Sequence, residues 1–214
     1  MSTPIASGRE ADVFALGDDR VLRRYRRAAD VTDEAEAMAY VAGLGFPVPT
    51  VYEAHGAEMV LERLDGPTMA QAMAAGDLDL GGGAAMLAGL LRRLHEMPPL
   101  PGAGQQILHL DLHPENVMLT GRGPVVIDWC NATDGPGDLD TALSALIVAQ
   151  VAIEHSHPWS PAAGAFLDAF LVLAPGDPLR LLDEATALRA RQLSLRPDET
   201  GLLATAAARV RGAA

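Results

Sequence analysis

The chain has 214 residues, 49% hydrophobic and 21% charged, the mixture of a globular protein with room for one sizeable core or two small lobes. A formal net charge of −12 argues against a general nucleic-acid binder, because phosphate neutralisation needs a basic surface. The acidity serves solubility first, and it also suits a cationic small-molecule partner. All 16 basic residues are Arg, so any chemistry that ordinarily uses Lys must use something else.

The N-terminal stretch MSTPIASGREADVF lacks the apolar core of a signal peptide. ADVFAL (11–16), the turn GDDR and VLRRY (21–25) read as a β-hairpin. In VTDEAEAMAYVAGLG, Thr32 is expected to cap a helix that opens with Asp33 and Glu34 and ends at Gly43 and Gly45. PTVYEAH and AEMVLERL read as a second strand pair. After Gly66 the texture turns helical. GGGAAMLAGLLRRLHEM places Met86, Leu87, Leu90, Leu91 and Leu94 on one face. NVMLT and PVVIDW flank the turn GRG as a hairpin. Thr141 to Ile153 reads as a buried helix, too short to span a membrane, and no membrane partner is expected. Ser160-Pro161 and Asp177-Pro178 are expected to start two more helices. The chain is therefore expected to be α+β. A sheet lobe with one helix occupies residues 1–65, and a mostly helical lobe interrupted by one hairpin occupies residues 66–214.

The stretch HLDLHPENVML (109–119) carries the chemistry. It leads into the first strand of the GRG hairpin, and the second strand ends in IDW. Asp111, Asn116 and Asp128 therefore meet at one end of one hairpin. These types fit phosphoryl transfer from a nucleotide. One carboxylate takes the proton of an acceptor hydroxyl. A second carboxylate and an amide oxygen hold Mg²⁺ against the phosphates, since hard oxygen ligands suit that ion.

HLDLHPENVML…VVIDW resembles the catalytic hairpin of the aminoglycoside phosphotransferase and choline kinase group, within the protein-kinase-like superfamily. The resemblance implies the two-lobed kinase fold, ATP and Mg²⁺ as cofactors, and a small-molecule hydroxyl as acceptor, an aminoglycoside or amino alcohol in view of the acidic charge. It makes Asp111 the catalytic carboxylate and Asn116 and Asp128 the metal ligands. The later GDLDTA resembles the group's second Asp motif, with Asp140 as an anchor of the catalytic loop.

Upstream, SGREADVFAL stands where the glycine-rich nucleotide loop belongs, with Gly8 as its glycine. Arg23 falls in the place of the phosphate-binding Lys. Glu34 matches its helix partner, with Glu36 as the other register. VLERLDG resembles the hinge, where backbone near Glu62 and Leu64 would meet adenine. The likeness covers roughly residues 5 to 145. About 74 residues follow Asp140, short for the group, so the helices that shape the acceptor pocket are expected to be trimmed.

Two other readings stand beside the kinase. A non-catalytic nucleotide-binding module on the same fold would explain Arg for Lys and the short tail, but has no need of Asp111, Asn116 and Asp128 together. A metal-dependent hydrolase would use His109, Asp111 and His113 as ligands, but lacks further His clusters at ligand spacing. His109 is expected to stabilise the loop, and His113 to serve loop or substrate. His155 and His157 read as an exposed helix end. One of Arg23, Arg24, Arg26 and Arg27 is expected to enter the cleft. Trp129 and Met118 are expected in the core. Cys130, the only cysteine, excludes an internal disulfide, fits a reducing cytoplasm and is expected to be small and buried.

Overall fold

The ADVFAL and VLRRY runs become antiparallel strands β2 (Ala11–Leu16) and β3 (Arg20–Tyr25), paired from Ala11↔Tyr25 to Leu16↔Arg20. The computed structural model describes residues 3–27, 30–102, 104–192, 195 and 197–213. A short β1 (Ala6–Ser7), β4 (Val51–His55) and β5 (Glu58–Glu62) complete a five-stranded antiparallel sheet in the order β1-β2-β3-β5-β4. Val21, Met59 and Leu61 turn their side chains into the core from this sheet.

Helix α1 (Thr32–Gly43) lies between β3 and β4 in the chain. Its buried residues are Glu34, Ala37, Met38 and Val41, the i, i+3, i+4, i+7 stripe that faces a core. A carboxylate on that stripe needs strong donors, and β3 supplies them. Thr32 does not cap the helix. Val31 takes that place without a side-chain bond, and Asp30 Oδ1 accepts from Thr32 N at 3.0 Å and from Thr32 Oγ1 at 2.6 Å. A carboxylate two residues upstream is the better local acceptor. The expected end holds: Leu44 follows the helix and Gly45 turns the chain with φ 83.

Beyond β5 the connector must pass against the later hairpin. At Gly66, with φ 141, an added Cβ would meet Leu119 O at 2.0 Å, so only glycine fits there. Helices α2 (Met69–Ala75) and α3 (Leu80–His95) follow. Leu87, Leu90, Leu91 and Leu94 of α3 are buried as expected, while Met86 at the stripe's edge is half-buried.

Strand β6 (Gln106–Leu108) pairs with β9 (Thr133–Gly135), and between them the expected hairpin forms from β7 (Val117–Thr120) and β8 (Gly123–Val126). Helix α4 (Gly137–Ile153) is buried from Leu139 through Gln150; its sequence is mostly apolar, and Asp140, Thr141, Ser144 and Gln150 are buried with it. It packs against α5 (Ser160–Leu173), α6 (Leu182–Arg189) and α7 (Pro197–Ala213). The main core runs without a break from Val21 and Met59 in the sheet, through Phe46 and Trp129, to Leu146 and Phe170 among the helices. No helix among the described residues is long and apolar enough to cross a membrane.

Three local expectations give way to tertiary contacts. Ser160 is the first residue of α5 rather than its cap, because its hydroxyl donates to Ala152 O of α4 at 2.6 Å. Asp177-Pro178 makes a single turn and α6 begins only at Leu182. Asp177 Oδ1 accepts from Leu179 N at 2.9 Å, while Asp138 takes Asp177 N and pairs with Arg180. Met118 is half-buried and lies outside the core clusters, because it alternates with Val117 and Leu119, which face inward. Trp129 is fully buried as expected.

Candidate active site

The loop from His109 to Asn116 is held by α4. Asp140, in the first turn of that helix, is fully buried. Its Oδ2 accepts from His109 N at 3.0 Å and its Oδ1 from Leu110 N at 2.7 Å, and His95 Nε2 lies 3.1 Å from Oδ2. Leu110 takes a left-handed φ of 60, a strained conformation for a side-chain-bearing residue that persists only where surroundings impose it. Asp140 therefore fixes the turn that presents Asp111.

His109 supports the same loop and is no metal ligand. Its Nδ1 accepts from Asp111 N at 3.3 Å, and its Nε2 bonds Ile127 O at 3.1 Å, which makes the neutral Nε2–H form the fitting one. Its ring meets Trp129 edge-on at 4.8 Å, and burial pushes its pKa below the ordinary imidazole value. With both ring nitrogens engaged, the hydrolase reading loses its first ligand. Among the described residues no three His, Cys, Asp or Glu side chains gather as a metal cluster.

Asp111 is half-buried and receives donors on both oxygens. Arg189 Nη1 donates to Oδ1 at 3.1 Å, and Asn116 Nδ2 to Oδ2 at 3.2 Å and to the Asp111 carbonyl at 2.9 Å. His113 Nε2 stands 3.8 Å from Oδ2. Burial alone would push the Asp111 carboxyl up, but His113, Arg189 and His109 outweigh it and hold the group below the ordinary carboxylate value. A carboxylate kept ionised and partly open can take a proton from a bound hydroxyl.

Asn116 sits in a single 3₁₀ turn (Pro114–Asn116) and spends its amide Nδ2 on Asp111, which leaves Oδ1 as its remaining acceptor atom. Its backbone O accepts from Ile127 N at 3.0 Å, so it lies beside the end of β8, next to Asp128. Asp128 has φ 66, a left-handed turn that an aspartate tolerates better than most side chains, and its side chain is 36% exposed. An amide oxygen and an open carboxylate at one hairpin end are the hard donors that fit Mg²⁺.

Arg23 is the one member of the arginine cluster that enters the site. Its Nη1 donates to Glu34 Oε1 at 2.7 Å and its Nη2 to Asp128 Oδ1. Glu34 also accepts from Tyr25 Oη at 2.7 Å and from Trp129 N at 3.1 Å, while Glu36 is exposed, so Glu34 is the carboxylate that meets Arg23. Burial opposes the Arg23 charge, yet Asp128 and then Glu34 more than offset it and push the guanidinium above its ordinary value. Burial pushes Glu34 above the usual carboxylate range despite Arg23. Arg24 and Arg26 instead pair with Glu58 and Asp12 on the sheet surface.

Gly8 is exposed in the turn between β1 and β2, where its N donates to Ala11 O at 2.9 Å. Glu62 Oε2 accepts from Thr50 N at 3.0 Å and Arg122 Nη2 at 2.9 Å. Leu64 follows β5, half-buried, in the connector. His155 and Cys130 are exposed and His157 half-buried. The exposure of Cys130 corrects its expected burial: Trp129 fills the inner position and the next residue must turn outward. Close packing around Cys130, with the charges of Asp128 and Glu34, nonetheless pushes its thiol upward, so it is no reactive thiolate.

Two contacts had no signal in the sequence. Arg189, 78 residues from Asp111, reaches it from the end of α6. In the sequence it is only a basic residue in a last helical turn. Arg9, beside Gly8, bonds Glu199 in α7 through both guanidinium nitrogens, at 2.8 and 2.6 Å, so the β1–β2 turn is tied to the last helix.

The sequence model of the phosphotransferase enzyme family (APH) matches residues 2–105 and 98–179. No curated protein matches. Among solved structures, a gentamicin complex of APH(2'')-IIa superposes with TM-score 0.62 at 11% identity, covering 97% of this chain and 90% of that one. An aminoglycoside-3'-phosphotransferase of type VIII gives 0.54 at 22% identity, with coverages of 86% and 92%. A choline/ethanolamine kinase family protein from Mesorhizobium loti gives 0.56 at 15% identity, with coverages of 99% and 84%. At these identities the likeness establishes the fold, α+β and two-lobed like a protein kinase.

Proposed function

The chain belongs to the phosphotransferase enzyme family, and from that premise we propose that it moves the γ-phosphoryl group of ATP to a hydroxyl of a small molecule. The observation that carries this reading is the cluster at one hairpin end. Asp111 is joined to Asn116, Asn116 lies beside Ile127 and Asp128, and Asp128 is bonded by Arg23. Residues 1–65 would hold the nucleotide and residues 66–214 the acceptor. Backbone near Glu62 and Leu64 would meet adenine, and the Gly8 turn would cover the phosphates.

In the reaction the acceptor oxygen attacks the γ-phosphorus, its proton passes to Asp111, and the β–γ bridging bond breaks to release ADP. Asn116 and Asp128 would hold Mg²⁺, which when bound neutralises phosphate charge. Arg23 offers its guanidinium to the α and β phosphates in the lysine's place, with Glu34 fixing its orientation. An aminoglycoside or amino alcohol is the acceptor class supported by the net charge of −12 and by the named ligands of structural neighbours such as the gentamicin complex. The single cysteine, which permits no internal disulfide, fits a reducing cytoplasm. A non-catalytic nucleotide module would have no use for a carboxylate held ionised beside the metal donors.

The test is an ATP-consumption screen over aminoglycosides, amino alcohols and sugars, run beside Asp111→Asn. Turnover should fall by roughly 10² to 10⁴ in that variant with its fold retained. Wild-type turnover in Asp111→Asn removes the residue from the mechanism. Mg²⁺-dependent ATP binding with no transfer to any acceptor would favour the non-catalytic module.

A further inference from the structure

Arg189 is a costly residue to bury. Its side chain is only 13% exposed, and taking a guanidinium out of water is seldom recovered by one ion pair. Its bonds to three described residues explain why it stays in place. Nε donates to Gln150 Oε1 at 3.2 Å, and Nη1 donates to Gln192 Oε1 at 2.5 Å and to Asp111 Oδ1 at 3.1 Å. Gln150 is itself oriented, since its Nε2 donates to the Glu199 carbonyl at 3.3 Å. Two neutral glutamines thus brace a planar fork that ends on one carboxylate oxygen. The other oxygen, Oδ2, is held from the opposite side by Asn116.

We infer that Arg189 is a positioning residue for Asp111: it fixes the plane of the carboxylate so that one face of it meets the acceptor hydroxyl. The inference rests on Asp111 being the proton acceptor proposed above. The other side of the carboxylate is held by Asn116, which sits in the 3₁₀ turn; among the described residues that bond the Asp111 side chain, Arg189 is the one from the helices that follow α4. The helices after α4 therefore also contribute to the reacting group. A planar fork with two braces resists rotation in a way a lysine cannot.

The experiment is a double-mutant cycle read by phosphate release from Mg²⁺–ATP with water as acceptor, and by ATP affinity from calorimetry. Arg189→Ala should lower kcat by roughly 10- to 100-fold, the size expected from misplacing a reacting group by about an ångström, with KM for ATP within about twofold. Added guanidinium ion should restore part of the loss. Arg189→Lys should fall between, carrying charge without the fork. In an Asp111→Asn background, Arg189→Ala should change kcat by less than about twofold, because the group it positions is gone. The inference is overturned if Arg189→Ala keeps wild-type kcat, or if its loss multiplies fully in the Asp111→Asn background. If Arg189→Ala does not fold, Arg189→Lys and Gln150→Leu put the same question, and wild-type kcat in both overturns it. Wild-type phosphate release in Asp111→Asn alone sinks the underlying assignment of the base instead.

Discussion

Asp140 and Glu34 are both buried carboxylates that brace the site, and they are satisfied in opposite ways. Asp140 accepts from two consecutive backbone N–H groups, His109 and Leu110, with His95 behind. Glu34 accepts chiefly from side chains, Arg23 and Tyr25, with one backbone N–H from Trp129. A backbone clamp on a strained turn leaves one geometry. A side-chain clamp can be rearranged, because a phosphate can compete for the same guanidinium. On the proposed function, the half of the site that would hold the reacting carboxylate is fixed by main chain, and the half that would admit a nucleotide by exchangeable ion pairs.

The contrast should be visible in stability first. Asp140→Ala removes a buried charge from two N–H donors and frees Leu110 from its left-handed turn. Urea unfolding should reveal a loss of about 3–5 kcal/mol. A loss below about 1 kcal/mol would mean that Asp140 is not the anchor of the loop. On the other side, Arg23→Met should cost about 2 kcal/mol, because Glu34 keeps Tyr25 and Trp129 as donors. ATP affinity should fall at least roughly tenfold in the same variant, checked by calorimetry. An unchanged ATP affinity would take Arg23 out of the phosphate site.

The Glu34 side should also carry the pH dependence. Burial raises the Glu34 pKa in the folded chain, so the folded state holds this proton more tightly than the unfolded state. Its stability contribution is complete below the ordinary carboxylate value and is lost as pH rises through the raised one. Urea midpoints measured upward from about pH 4 should show a downward component that Glu34→Gln removes. A component of the opposite sign would mean that Arg23 outweighs burial.

The smallest effect belongs to the tie between the β1–β2 turn and α7. Arg9 is 54% exposed, so Glu199→Gln should change stability by about 1 kcal/mol or less, and by less again at high salt. Thermal melts at low and high ionic strength test this. A larger, salt-independent change would show that the tie carries the packing of α7.

Much of the fold was readable because it is local. ADVFAL and VLRRY, short β-like runs on either side of the turn GDDR, specify strands, and the four-residue stripe around Glu34 and Val41 specifies a helix face. The readings that failed were also local, and they failed where another partner, near in the chain for Thr32 and on another element for Ser160 and Asp177, offered a better bond. Thr32 yielded to Asp30, Ser160 to Ala152 O, and Asp177 to the contacts of Asp138. Cap chemistry names residues that can accept a hydrogen bond, and packing decides which of them does.

HLDLHPEN and IDW were enough by themselves to place Asp111, Asn116 and Asp128 at one end of a hairpin, since a short turn between two strands brings its ends together whatever surrounds it. What neighbours those residues keep was decided only by the folded chain. Arg23 spans Glu34 and Asp128 across 105 residues of sequence, and Arg189 meets Asp111 across 78. Charges so far apart in the chain leave no periodicity or spacing to read. They are paired because burial in a shared core makes an unpartnered charge too costly to keep.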